Sequence, residues 1–198
     1  MRPGALIAPP LLALALAAPA AGALAAARVA ALQVALRANG VYAGSVDGLE
    51  GPETAQAVRL IQQRAKITVD GVVGPVTRKA LGKLGRPGLG TRTLANGMRG
   101  WDVASLQWLL AWHGFPSGPF DGSFGDRPLA ALLRFQRWAG IDAIGIAGPQ
   151  TLAALREPLP VSPIRLERPI DAQPDDGFGP RGNRFHAGVD YPAPLGAA

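Results

Sequence analysis

Two stretches decide the fold. "VAALQVALRANGVYAGSVDGLEGPETAQAVRLIQQRAKITVDGVVGPVTRKAL" (residues 29–81) and "VASLQWLLAWHGFPSGPFDGSFGDRPLAALLRFQRWAGIDAIGIAGPQTLAAL" (residues 103–155) align without a gap at a constant offset of 74 residues. Leu32, Gln33, Leu36, Gly40, Asp47, Gly48, Gln62, Gly71, Gly74, Pro75, Thr77 and Leu81 recur as Leu106, Gln107, Leu110, Gly114, Asp121, Gly122, Gln136, Gly145, Gly148, Pro149, Thr151 and Leu155. Such agreement marks an internal repeat, each copy one supersecondary unit.

Each copy reads as helix, glycine-rich turn, helix, turn and short helix. Val29, Leu32, Val34 and Leu36 open the first helix, and Asn39-Gly40 offers a left-handed cap that ends it. Ala57, Val58, Ile61 and Ala65 recur at three- and four-residue spacing, giving the second helix one apolar face. Pro52 and Pro75 each follow a glycine, and proline is best tolerated in a helix's first turn. Asp47-Gly48, Asp70-Gly71 and Asp121-Gly122 are turn dipeptides in which aspartate bonds to nearby backbone. At the fourth such place Ile144-Gly145 replaces Asp-Gly, so that turn is expected to lose a side-chain bond.

Composition supports several small units. The chain has 198 residues, 48% of them hydrophobic, with 26 Gly and 19 Pro; this excludes a disordered chain and favours many turns. Its net charge of +6 is uneven: residues 28–92 hold ten Arg/Lys against four Asp/Glu, residues 99–157 five against five. A basic half suits an anionic polymer. No Lys/Arg run or interleaved aromatic stripe appears, so a solvated arginine-rich surface is expected, and nucleic acid is not expected as a partner. The absence of cysteine excludes disulfides and thiolate metal sites.

The first 27 residues have an early Arg2, a Leu/Ala-rich apolar run and small residues at Ala21, Ala23, Ala25 and Ala27. That is the layout of a secretory leader with several A-x-A cleavage options. Residues 3–27 are also long enough to span a bilayer, the competing reading being a retained anchor. Cleavage is the favoured expectation; it leaves no stable membrane span and places the protein outside the cytoplasm, secreted or in the cell wall or periplasm.

The repeated pattern of Leu-Gln, Asp-Gly, Phe-Gln (Ile61-Gln62 in the first copy) and Gly-Pro-x-Thr resembles the peptidoglycan-binding domain of bacterial and phage wall hydrolases. "NGMRGWDVASLQ" (residues 96–107) resembles its usual lead-in, which the first copy lacks. The resemblance implies a mainly α fold of two tandem three-helix repeats, residues 28–84 and 99–156, with peptidoglycan as partner. Residues 85–98 and the proline-rich 157–168 read as linkers. Four tryptophans fall in the second copy. Trp101, Trp108 and Trp112 are the candidate ligand-binding platform, since indoles pack against the C–H faces of sugars; core packing is the alternative. His113 has no metal-spaced partner and reads as a surface or capping histidine.

Residues 169–198 have short β-type pieces between Gly, Pro and Asp, an incomplete β-rich fragment. Within them "RFHAGVDYPAPLGAA" (residues 184–198) carries His186 and Asp190 at a spacing that suits zinc, although H-x-x-x-D alone is a weak signal. "FGPRGNRFHAGVDYPAP" (residues 178–194) resembles the start of the lysostaphin-type zinc metallopeptidases, which cut peptide cross-links in peptidoglycan. By that resemblance His186 and Asp190 are zinc ligands, Phe178, Gly179 and Arg181 belong to the strand and turn before them, and Gly188 allows close backbone approach. The family requires a later H-x-H, and this sequence has two histidines in all. The expectation is therefore a secreted wall-binding protein, a fragment of a peptidoglycan-cleaving zinc metalloendopeptidase whose catalytic residues are unassigned here. The alternative is a non-catalytic binding protein complete at this length. Zinc is expected in the full-length parent, without stable binding by this chain.

Overall fold

The computed structural model describes residues 20–158, 179–181 and 184–186. Repeat one comprises α1 (Ala20–Ala38), α2 (Pro52–Arg64) and α3 (Pro75–Ala80), followed by a 3-10 turn at Gly82–Gly85; repeat two comprises α4 (Trp101–Trp112), α5 (Asp126–Trp138) and α6 (Pro149–Ala154). Pro52, Pro75 and Pro149 open their helices, where a missing N–H leaves no bond unmade. Gly40 closes α1 at φ +67°, and the Val41 N–H donates to the Leu36 carbonyl at 3.1 Å. Ala65, read as part of the apolar face of α2, is exposed just past the helix end.

The mainly helical, two-repeat reading holds. Its boundaries shift at the amino end: α1 begins at Ala20, so residues 20–27, read as the end of the leader, form its first two turns. Alanine is the best helix former, and Ala23 and Ala27 are buried at 5% and 1% exposure. The two repeats, read as units on a linker, pack together along α1 and α4. Every residue of α4 from Trp101 to Ala111 is buried, as expected for a helix that is apolar nearly all round. Small residues make the seam close: Ala27, Ala30, Ala31 and Ala35 are almost fully buried, and the Ser105 hydroxyl donates to the Ala27 carbonyl at 3.4 Å. At Gly48, a Cβ would lie 2.8 Å from the Trp108 ring and 3.0 Å from the Ala26 carbonyl, so this turn has no room for a side chain.

The stretch between repeats is held down as well. The Leu94 N–H donates to the Ala147 carbonyl at 3.1 Å, and the Ala147 N–H returns to the Leu94 carbonyl at 2.8 Å. Arg92 meets the fully buried carboxylate of Asp102 at 2.7 Å, the one ion pair among the described residues.

Four buried glutamines explain the most regular letters of the repeat. The Gln33 carbonyl accepts from Asp47 N–H and Gly48 N–H at 3.0 Å, and its amide donates to the Asp47 carboxylate at 2.6 Å and the Leu49 carbonyl at 3.1 Å. Gln107 repeats this with Asp121, Gly122 and Ser123. Gln62 binds Gly71, Asp70, Val72 and Thr77 in the same manner. Each glutamine supplies the donor and acceptors that a turn buried against a helix otherwise lacks. Gln136 has a reduced set, Gly145, Ile146 and Thr151, because Ile144 stands where repeat one has Asp70. The loss of a side-chain bond read from the sequence is present: Asp70 accepts from Val72 N–H at 2.8 Å, a bond isoleucine cannot accept.

The incomplete β-rich fragment expected over residues 169–198 is not supported by the described residues. Two three-residue strands, β1 (Gly179–Arg181) and β2 (Arg184–His186), pair antiparallel with Gly179 opposite His186. The described residues carry no larger β-rich unit; the remainder of that reading lies outside them.

Candidate functional site

Between the two turns of repeat one lies an open groove of about 600 Å³. Leu32 and Val58 line its helical side, Glu50–Pro52 one rim, and Gly71–Val73 the other. The Gln33 and Gln62 bonds hold the two rims, so the groove's width is set by buried hydrogen bonds. Val72 stands 62% exposed at its edge. An apolar floor between fixed backbone rims suits an extended ligand that carries its own hydrogen-bonding groups.

The corresponding place in repeat two is filled. Leu129 replaces Ala55, and its Cδ1 lies 2.5 Å from where a Cβ on Gly145 would sit. Phe124, at 1% exposure, replaces the exposed Glu50. Leu94, in the segment between the repeats, bonds to Ala147, the equivalent of Val73. Repeat one keeps its groove open because its small and charged residues leave space and, among the described residues, no segment bonds to Val73 as Leu94 bonds to Ala147. The signals were present in the alignment, in Ala55 against Leu129, Glu50 against Phe124 and the missing lead-in, but only the fold shows that they meet at one place.

The three candidate tryptophans do not form one exposed platform. Trp108, 1% exposed, is buried in the inter-repeat seam against Phe120, ring centroids 5.5 Å apart. Trp101, 6% exposed, lies beneath the Arg78 guanidinium, 4.7 Å from its ring centroid. Trp112 is half-buried against the core. Full burial leaves Trp108 no face for a sugar. The accessible indole is Trp138, 51% exposed, with its ring 5.7 Å from Phe115 and 5.9 Å from Phe135. It follows Phe135 by three residues, at the edge of the apolar face of α5, a place that periodicity alone reads as core.

His113 caps α4 as read, but it is buried at 8% exposure, not on the surface. Its Nε2 lies 3.2 Å from the Leu155 carbonyl, and its ring is edge-on to Phe135 at 5.3 Å. Burial pushes its pKa below the usual histidine value, and the bond to Leu155 opposes this only in part. A depressed folded-state pKa gives stability that is complete above the unfolded pKa of about 6.5 and is lost as pH falls below it. The urea midpoint of the protein is thus expected to drop between pH 7.5 and pH 5.5, and to drop less in His113→Gln. Parallel pH profiles for the two proteins would contradict this.

Of the two candidate zinc ligands, His186 lies on β2 and Asp190 lies outside the described residues, as do Phe178 and Gly188; Gly179 and Arg181 are on β1. Among the described residues no group of three or more His, Cys, Asp or Glu gathers to hold a metal. No described helix is long and apolar enough to cross a membrane.

The chain is 45% identical over 104 residues to the N-acetylmuramoyl-L-alanine amidase CwlM of Mycobacterium tuberculosis, covering 50% of this chain and 25% of that protein. It is 36% identical over 132 residues to the N-acetylmuramoyl-L-alanine amidase CwlL of Bacillus licheniformis, covering 56% of this chain and 37% of that one. The chain thus spans between a quarter and two fifths of the curated relatives it matches. A crystal structure of a peptidoglycan-binding protein from Clostridioides difficile, in complex with glutamine hydroxamate, is 35% identical with a TM-score of 0.32, covering 33% of this chain and 40% of that chain. Residues 25–81 and 99–155 each match the family model described as "Putative peptidoglycan binding domain", together more than half of the chain. With both repeats matched from first helix to last, the chain belongs to that peptidoglycan-binding family.

Proposed function

We propose that this chain holds a secreted wall-cleaving enzyme on peptidoglycan, and that the groove of repeat one is where the polymer sits. The observation that carries this reading is the open groove in a member of the family, with its rims pinned by Gln33 and Gln62. The two similar amidases, proteins named for a bond in the same polymer, support an extracellular or wall location. The leader belongs to this proposal too, with its cut no later than Ala20 if the first turns of α1 are to stay in place.

The catalytic partner is proposed to be a zinc endopeptidase whose first two ligands are His186 and Asp190, on the strength of the motif at 178–194. Bound zinc would lower the pKa of a water for attack on a peptide bond. A catalytic zinc site needs three protein ligands, and His113, buried against Leu155 in repeat two, is held away from that role. These residues alone do not complete the site. The similar proteins' names favour a second reading, an amidase partner, which cuts the same polymer at another bond.

Purified residues 20–158 are expected to co-sediment with insoluble cell-wall sacculi, and the full chain to do so without zinc-dependent release of new amino termini. Protein left in the supernatant at low salt would refute wall binding. Chelator-sensitive release would show that this chain cuts as well as binds.

A further inference from the structure

A second cavity, of about 550 Å³, lies where the two repeats and the segment joining them meet. Repeat one contributes Arg28, Glu50 and Arg78, and repeat two contributes Trp101, Ser105 and Arg156. Neither repeat alone makes it; it exists because α1 packs on α4. It shares Leu32, Glu50 and Val73 with the groove of repeat one, so the two lie side by side.

Three arginines and one glutamate thus line one partly enclosed space. Arg78 is fixed in advance: its Nε donates to the Gly85 carbonyl at 2.9 Å while its guanidinium lies over Trp101, and among the described residues its terminal nitrogens make no hydrogen bond. Arg28 and Arg156 are exposed and take part in no ion pair among the described residues. Like charges gathered without a partner destabilise the free protein and favour an incoming anion. A held arginine also loses little rotamer entropy when it binds one.

We propose that this inter-repeat cavity is a subsite for the free carboxylate of a short peptide carrying an amine as well, with Arg28, Arg78 and Arg156 on the carboxylate and Glu50 on the amine. The proposal rests on the wall-polymer reading and names the part of the polymer taken here: its peptide, with the chain entering from the groove of repeat one. Glu50 and the apolar Leu24, Val29 and Leu89 around it argue against a polyphosphate, which the carboxylate repels and the apolar wall cannot hydrogen-bond. The volume suits a ligand of two or three residues.

The test uses acetyl-Lys-D-Ala-D-Ala, its carboxy-terminal amide and inorganic phosphate as probes, with calorimetry or chemical-shift titration on the full chain. The free acid is expected to bind, the amide to bind at least tenfold more weakly, and Arg28→Ala/Arg156→Ala to weaken the acid about tenfold. Both arginine side chains are exposed and make no ion pair among the described residues, so the double variant is expected to unfold at the same urea concentration or, with the repulsion relieved, at a slightly higher one. Equal binding of acid and amide, phosphate displacing the peptide as well as the acid does, or an unaffected double variant would overturn the proposal. Sacculus binding in the same samples separates the two ideas. If the wild-type protein sediments with sacculi while acid and amide are indistinguishable, the subsite is wrong and wall binding stands; if it does not sediment, the wall reading itself falls.

Discussion

Gln107→Ala is expected to lower the unfolding free energy by roughly 3 to 5 kcal/mol, adding buried donors left unpaired to a cavity in a packed interior. Asp121 N–H and Gly122 N–H lose their acceptor and the Asp121 carboxylate loses a donor; Gln107 is 1% exposed and Gly122 is buried, so the Gly122 N–H in particular is left unpaired away from solvent. Gln107→Glu separates the two halves of the interaction. It keeps the acceptors but sets a second carboxylate against Asp121, so its own folded-state pKa rises. A raised carboxylate pKa means that the penalty is present at neutral pH and fades as pH falls through that value. Gln136→Ala should cost less than Gln107→Ala, because Ile144 leaves Gln136 without an aspartate partner. Urea unfolding followed by circular dichroism reads all three. A loss below 1 kcal/mol for Gln107→Ala would mean that the turns hold themselves.

Removing residues 20–27 is expected to cost about 3 kcal/mol, since each buried methyl contributes about 0.8 kcal/mol and two helical turns go with it. Ala23 and Ala27 leave the seam with α4, and the Ala26 backbone leaves the turn at Gly48, which packs on Trp108. A chain starting at Arg28 should therefore unfold at lower urea than one starting at Ala20, with Trp108 emission shifted toward the red before the main transition. The inter-repeat cavity loses Leu24 and Ala27 from its wall, and peptide binding there should weaken too. Identical midpoints for the two chains would place the functional start at Arg28. Amino-terminal sequencing of exported protein gives the independent reading, with a start at or before Ala21 expected.

The sequence by itself determined the repeat, the number and order of its helices and the places of its turns. These depend on local chemistry: spacing of apolar residues, proline at helix starts, Asp-Gly at turns. Identical letters at a 74-residue offset report the same local solution twice. The weak place at Ile144-Gly145 was legible for the same reason, since an Asx turn is made by residues two apart.

Only the tertiary structure decided what the buried glutamines do, which tryptophan is accessible and where a ligand fits. Gln33 and Asp47 are fourteen residues apart, and their bond exists only when α1 and the turn are folded against each other. Trp108 and Trp138 carry the same letter, but burial depends on the neighbour each faces; α1 of the other repeat covers the first, and nothing described covers half of the second. The differences between repeats, Ala55 and Leu129 or Glu50 and Phe124, are single letters in an alignment and one open groove in space. The arginine cavity is further from the sequence still. Its walls come from residues 28, 78 and 156, brought together because two alanine-rich and tryptophan-rich helix faces bury each other, an event that no local pattern in either repeat encodes.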